Sequence, residues 1–201
     1  ISMINKIVLT PERIFLFDIQ DKKILLFTRR GKFITDIRPH GRGPGEWLGI
    51  TDFTVDETDR EIIVTADRPY KFLYYDYNGN FLREKTSEAF YTEITRTTDN
   101  ILAINSKVLE PKHYLSLLNE EDHRITVAKK IPLAFTYRGE FRCRGSYLLK
   151  SEHLYFTQNG DYTIYSWDNN RIKPVVTVDF GKYSYNPKQS AFDHKCKRNT
   201  Q

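Results

Sequence analysis

The 201-residue sequence predicts an all-β fold, a β-propeller of four-stranded antiparallel blades, and three observations carry that prediction. Polar turns interrupt short apolar runs at Gly31, Gly79, Asp122 and Asn170, at spacings of 48, 43 and 48 residues. A repeat of that length holds about four strands, the content of one blade. No segment sustains the 3.6-residue apolar period of a helix. Tyr and Phe number 13 each against a single Met, a balance that suits strands.

Each unit is justified in turn. In the first, about residues 6–38, Ile7-Val8-Leu9-Thr10 reads as the innermost strand, 13–18 and 23–28 as the next two, and the outer strand starts at Phe33 after the Arg30-Gly31 turn. The second, about 51–86, repeats the order with 52–56, 61–67, 72–76 and a strand from Phe81. Its Asn78-Gly79 dipeptide predicts a two-residue type I′ hairpin, with positive φ at both residues. The third, about 93–130, is more degenerate and rests on 101–105, 113–118 and 125–128; the fourth, about 146–180, on 153–157, 163–168 and 172–179. Residues 182–201 form a basic C-terminal segment, either the start of a further blade or disordered. The opening in mid-pattern points to a fragment of a larger ring rather than a closed four-bladed one.

Charge and composition exclude several functions. Lys and Arg total 31 against 26 Asp and Glu, but Lys182, Lys188, Lys195, Lys197 and Arg198, offset by Asp193, place +4 of the +5 excess in the last twenty residues. The body is nearly neutral and offers no broad surface for phosphates, so no nucleic-acid partner is expected. No apolar run approaches the roughly 20 residues of a spanning helix, and no signal sequence opens the chain. Cys143 and Cys196 fix no disulfide framework and are read as either paired or free. No zinc-ligand spacing, G-x-S-x-G elbow or paired histidines occur, so no catalytic residue and no metal ligand is assigned. Calcium is the one cofactor considered. Its oxygens would have to come from Asp52, Asp56 and the acidic runs 56–59 and 120–122, which are better explained as turn charges.

The segment Gly41-Arg42-Gly43-Pro44-Gly45-Glu46-Trp47 has the glycines of a phosphate loop but lacks the Lys-Ser/Thr and the helix behind it. It is read as a structural turn between blades. Glu46 is expected to accept backbone N–H groups within it, and Trp47 to wedge between sheets. In a propeller the blade-to-blade connection shares a face with the loop between second and third strands. His40, Arg42, Arg68 and Tyr70 are therefore expected to line one surface and bind ligand, while Asp18 and Asp67 form turns. The alternative for Arg42 is a pair with Glu46 or Asp67.

That heptad, followed by Asp52-Phe53-Thr54-Val55-Asp56, a strand ending at Asp67, Tyr75-Asp76 and Asn78-Gly79-Asn80-Phe81, resembles the NHL repeat. More closely, it resembles the six-bladed β-propeller proteins exported by anaerobic gut bacteria, in which a G-x-G-P-G-E-[FYW] segment joins the first blades. The likeness covers about residues 12–86 and continues to 180 on strand spacing alone. It implies a six-bladed ring, a place in the periplasm or outer cell envelope, and a non-catalytic binding or scaffold role with a protein or glycan partner. A propeller hydrolase of the lactonase type, or a lyase, with a channel metal is the second expectation. An RNA-binding NHL platform is the third, disfavoured by the near-neutral body.

Overall fold

The computed structural model describes residues 1–97, 100–105, 114–132, 148–150, 153–157, 162–168 and 171–181, and each of its named elements is a strand. The basic segment 182–201, Cys143 and Cys196 lie outside the described residues. The first blade holds β1 (Ile4–Leu9), β2 (Arg13–Asp18), β3 (Lys23–Thr28) and β4 (Phe33–Ile37). The second holds β5 (Ile50–Asp56), β6 (Glu61–Asp67), β7 (Tyr70–Asp76) and β8 (Phe81–Ser87). The third holds β9 (Glu93–Arg96), β10 (Ile101–Asn105), β11 (Tyr114–Glu120) and β12 (Arg124–Pro132). The fourth holds β13 (Leu148–Lys150), β14 (Leu154–Phe156), β15 (Thr163–Asp168) and β16 (Arg171–Thr177). Within each blade consecutive strands pair antiparallel, the propeller arrangement predicted. One pairing crosses blades: β8 meets β12 in parallel at Thr86↔Arg124 and Ser87↔Ile125, and the Thr86 N–H donates to the His123 carbonyl at 2.9 Å.

The hairpin at Asn78-Gly79 differs from the type I′ expectation. Gly79 has φ 84° while Asn78 is not in the left-handed region, and the Gly79 N–H donates to the Asp76 carbonyl. The pairing then shifts by one residue between Tyr74 and Tyr75. This is a type I turn closed by a glycine bulge, the three-residue hairpin solution. Asp76 selects it, because its Oδ1 accepts the Asn78 and Asn80 N–H groups at 2.8 and 2.9 Å. The first blade uses the same device: Gly31 has φ 82° and donates to Thr28, whose Oγ1 accepts the Lys32 N–H at 3.1 Å.

Alternation along the strands builds the seams between blades. On β6, Ile62, Val64 and Ala66 pack toward the first blade with Phe15, Phe17, Ile24 and Leu26, whereas Ile63 packs toward the third with Ile94, Ile101 and Leu118. On β7, Leu73 and Tyr75 face the first blade, and Phe72 and Tyr74 the third. With both faces covered, these strands read as nearly continuous apolar runs. Trp47 is buried in the first seam with its ring edge-on to Tyr75, the wedge expected of it. A third cluster joins Leu115 and Leu117 to Leu154, Phe156 and Trp167 of the fourth blade.

Polar groups tie the innermost strands. The buried Asp52 on β5 accepts Lys6 Nζ from β1 at 2.8 Å and the Ile94 N–H from β9 at 2.8 Å, and Lys6 Nζ also donates to the Ile94 carbonyl at 3.0 Å. Burial raises the Asp52 carboxyl above its ordinary value, with Lys6 and the Ile94 N–H acting in the opposite direction. Two residues further along β5, Thr54 Oγ1 accepts the Arg96 N–H at 3.0 Å, and the Arg96 guanidinium bridges Asp56 and Glu120 at 2.7 Å each. Glu120 also accepts the Tyr74 hydroxyl. Among the described residues, the first and fourth blades each leave one sheet face uncovered. Val8 packs on the first core while Ile7 and Leu9, pointing the other way, are 59% and 54% exposed; in the fourth blade Ile164 and its cross-strand partner Val176 are also exposed.

Candidate functional site

Loops of the first two blades meet around the connection between them. The connection between β4 and β5 touches the β6–β7 turn where the Asp67 N–H donates to the Gly49 carbonyl at 3.1 Å, and the β2–β3 turn where Lys22 Nζ donates to the Leu48 carbonyl at 3.1 Å. The ring of Tyr70 lies 5.9 Å from that of Phe90, in the connection leading to the third blade. The other face is held separately, by a bidentate pair of Arg60 with Glu12.

The heptad is a braced turn. Gly41 and Trp47 are linked by an N–H to carbonyl bond of 3.1 Å, alongside the bridge between His40 and Trp47. Glu46 folds back so that its Oε2 accepts the Gly43 N–H at 2.8 Å, and a side chain at Gly41 would collide with that carboxylate. Gly45 has φ 73°, and a Cβ there would lie 2.9 Å from the Phe81 ring. Blade two clamps this backbone from below: Glu84 Oε2 accepts the Gly45 N–H at 2.9 Å and Lys71 Nζ at 2.8 Å, Lys71 reaches the Gly43 carbonyl at 3.3 Å, and the Tyr75 hydroxyl donates to the Gly45 carbonyl at 2.8 Å. Partial burial opposes ionisation of Glu84, but Lys71 and the Gly45 N–H outweigh it and hold the carboxyl below its usual range. The backbone N–H groups of Gly43 and Gly45 are thus spent on carboxylates rather than offered to a phosphate, in line with the structural reading of the loop.

The four expected ligand-binding residues are exposed on this scaffold. Arg42 makes no ion pair or hydrogen bond among the described residues, so neither of its alternative pairings, with Glu46 or Asp67, is formed. Arg68 is 77% exposed in its side chain and reaches the neighbouring Asp67 at 3.4 Å. Tyr70 opens β7 at 37% exposure, and His40 sits at the start of the connection. Asp18 forms a turn, as expected: its Oδ1 accepts the Asp21 N–H at 3.2 Å, and its carboxylate also binds the Ser2 and Met3 N–H groups. Asp67 is less satisfied, since its Oδ1 is buried against Gly49 without a hydrogen-bond partner. Among the described residues no three His, Cys, Asp or Glu side chains converge as a metal site requires, and Asp52 and Asp56 are engaged by Lys6 and Arg96.

Sequence reasoning missed a recess on the outer rim between the first two blades. It has a volume of about 520 Å³ and is bounded by the end of β4, the flank of the heptad and the start of β8. The exposed Phe81 immediately after the Asn78-Gly79 turn was its only signal in the sequence.

The comparisons with known proteins agree with the fold. A family model described as a domain of unknown function, DUF4934, matches residues 1–200. No curated protein matches the chain. Among solved structures, a protein from Bacteroides fragilis described as a candidate exported protein aligns with a TM-score of 0.72 at 18% identity, covering 88% of this chain and 51% of that one. A Bacteroides caccae protein of unknown function aligns with a TM-score of 0.54 at 14% identity, covering 86% of this chain and 60% of that one. The WD40 repeats of RRP9 align with a TM-score of 0.54 at 13% identity, covering 86% and 51%. The chain thus spans between half and three fifths of the length of these proteins.

Proposed function

We propose that this chain, which belongs to the DUF4934 family, is a non-catalytic binding or scaffold module of the cell envelope whose loop face takes a carboxylate-bearing group on a protein or glycan. One observation carries the reading: Arg42, without a partner among the described residues, projects from a connection whose own backbone is fixed by Glu46, Glu84, Lys71 and Tyr75. A braced loop loses little backbone entropy on binding, and the guanidinium fork matches a carboxylate. Arg68 adds a second, largely exposed guanidinium, Tyr70 a ring, and His40 an exposed imidazole that can donate or accept a hydrogen bond.

An extracytoplasmic location is part of the same proposal, supported by the description of the Bacteroides fragilis protein. So is the finer expectation of an NHL-like ring of six blades. The exposed apolar residues Ile7, Leu9 and Ile164 on the first and fourth blades support it, as does the greater length of that protein, of which this chain covers 51%.

The test is retention of the full chain on immobilised polygalacturonate and on poly-glutamate, with and without the double substitution Arg42→Ala, Arg68→Ala. Retention is expected on one of the two matrices and lost in the variant, with the melting temperature within about 2 °C because neither arginine braces the fold. The variant keeps residues 182–201, so the loss reports the loop face. Unchanged retention, or a variant that melts several degrees earlier, refutes the reading.

A further inference from the structure

The rim recess lies apart from the arginine surface, since none of His40, Arg42, Arg68 and Tyr70 lines it. Its floor is aromatic. Phe81 is 40% exposed, one side of its ring rests on Gly45, and Tyr75 meets it edge-on at 5.7 Å between centroids. Pro39 and Pro44 supply apolar walls, and the polar groups are Asp36, Arg38 and Glu46. Arg38 Nε stands 3.3 Å from Asp36 Oδ2, with the Arg38 side chain 67% exposed and that of Asp36 26%. Glu46 uses Oε2 on the Gly43 N–H. The volume lies in the about 300–1,000 Å³ range of small-ligand sites.

Charge and hydrogen-bond chemistry narrow the occupant. Two carboxylates against one guanidinium disfavour an anionic ligand, so nucleotides and acidic sugars are repelled. A wholly apolar ligand would strip water from those three charged groups without returning a hydrogen bond. A neutral sugar satisfies both requirements. Its hydroxyls donate to carboxylates and accept from the guanidinium, while the C–H face of a pyranose lies on an aromatic ring.

We propose that the recess bounded by Phe81, Arg38, Asp36 and Glu46 is a binding site for a neutral pyranose unit of a glycan. Phe81 is the stacking platform, and Arg38, held by Asp36, fixes the orientation of adjacent hydroxyls.

The test uses the full chain and ligand-observed saturation-transfer NMR with maltotriose, cellotriose, xylotriose and mannotriose, followed by calorimetric titration. At least one is expected to saturate, and galacturonic acid trimer is expected to bind more weakly than that one. Phe81→Leu keeps the apolar contact on Gly45 but removes the π face, and should weaken binding about five- to tenfold with the fold intact by near-UV circular dichroism. Arg38→Gln should weaken it comparably, while the double substitution Arg42→Ala, Arg68→Ala leaves it unchanged. That last result separates this site from the loop face, whose failure would not touch it. No saturation by any of the four neutral sugars overturns the proposal. So does equal affinity in Phe81→Leu, or preferential binding of an alternating Thr-Val peptide, which would make the stretch of β8 that precedes its pairing with β12 a strand-addition site.

Discussion

Replacing Asp52 by Ala strips one carboxylate from three blades at once. Lys6 Nζ loses its carboxylate partner at 2.8 Å, keeping only the Ile94 carbonyl, and the Ile94 N–H loses its acceptor at 2.8 Å, in a site where Asp52 is 2% exposed. Breaking a buried pair from one side costs about 3–5 kcal/mol. The Lys6 side chain retains 13% exposure and can recover some hydration, which places the expected loss at the lower end, about 3 kcal/mol. For a chain of this length each kcal/mol moves the midpoint by about 2–4 °C, so the melting temperature should fall by about 6–12 °C. Amide hydrogen exchange gives a local readout: the Ile94 N–H should exchange about a hundredfold faster. Asp52→Asn should cost less than half as much, because it keeps an acceptor for Ile94 and escapes the burial that raises the carboxyl. Lys6→Met combined with Asp52→Leu should recover more than half of the Ala loss, since an apolar pair replaces a buried ion pair at little cost. A drop below about 2 °C in the Ala variant, or an Ile94 amide exchanging at the original rate, would refute the idea that this carboxylate ties the inner strands.

Other perturbations test separate parts of the fold. Gly45→Ala should destabilise the chain by at least about 1–2 kcal/mol in urea denaturation, because the left-handed backbone disfavours a Cβ and that Cβ meets the Phe81 ring; unchanged stability would contradict the brace. Asp18 and Asp76 are held below the usual carboxylate range by N–H groups and, for Asp18, by Lys23, each overcoming burial. A depressed folded value means stability present above about pH 3.9 and lost as pH falls through the folded value. Asp18→Asn should therefore flatten the acid limb of a pH–stability curve, and an unaltered limb would exclude Asp18 as a contributor. The uncovered faces at Ile7, Leu9 and Ile164 should make the isolated chain self-associate in sedimentation velocity, and serine at all three should shift it toward monomer. A monomer at all concentrations before substitution would leave those faces without an adhesive role.

The fold was legible because its signals are local. Strand length, the alternation on β6 and β7 and the glycine turns each lie within a few residues, and together they fix the blades. The turn type at Asn78-Gly79 was misread because the dipeptide rule ignores Asp76, whose carboxylate captures two N–H groups and pulls Asn78 out of the left-handed region. The structural role of the heptad could be read from its glycines, but the clamp on it could not: Lys71 and Glu84 come from strands 28 and 39 residues away from the groups they hold. The rim recess was hidden for the same reason, since Asp36, Gly45 and Phe81 meet only after two blades have packed.

The parallel contact of β8 with β12 has a mechanical consequence. Elsewhere among the described residues, neighbouring blades touch chiefly through side chains, but the second and third also share main-chain pairing at Thr86 and Arg124, besides the carboxylate and hydroxyl of Asp52 and Thr54 that grip the backbone of β9. These two blades therefore resist separation at the hub and at the periphery together. Strain applied around the arc, whether by heat, by denaturant or by a pull on either terminus, should be released first at the outer seams. The eight strands from β5 to β12 should persist as the last cooperative unit, detectable as a block of amides that open together after the first and fourth blades have peeled away.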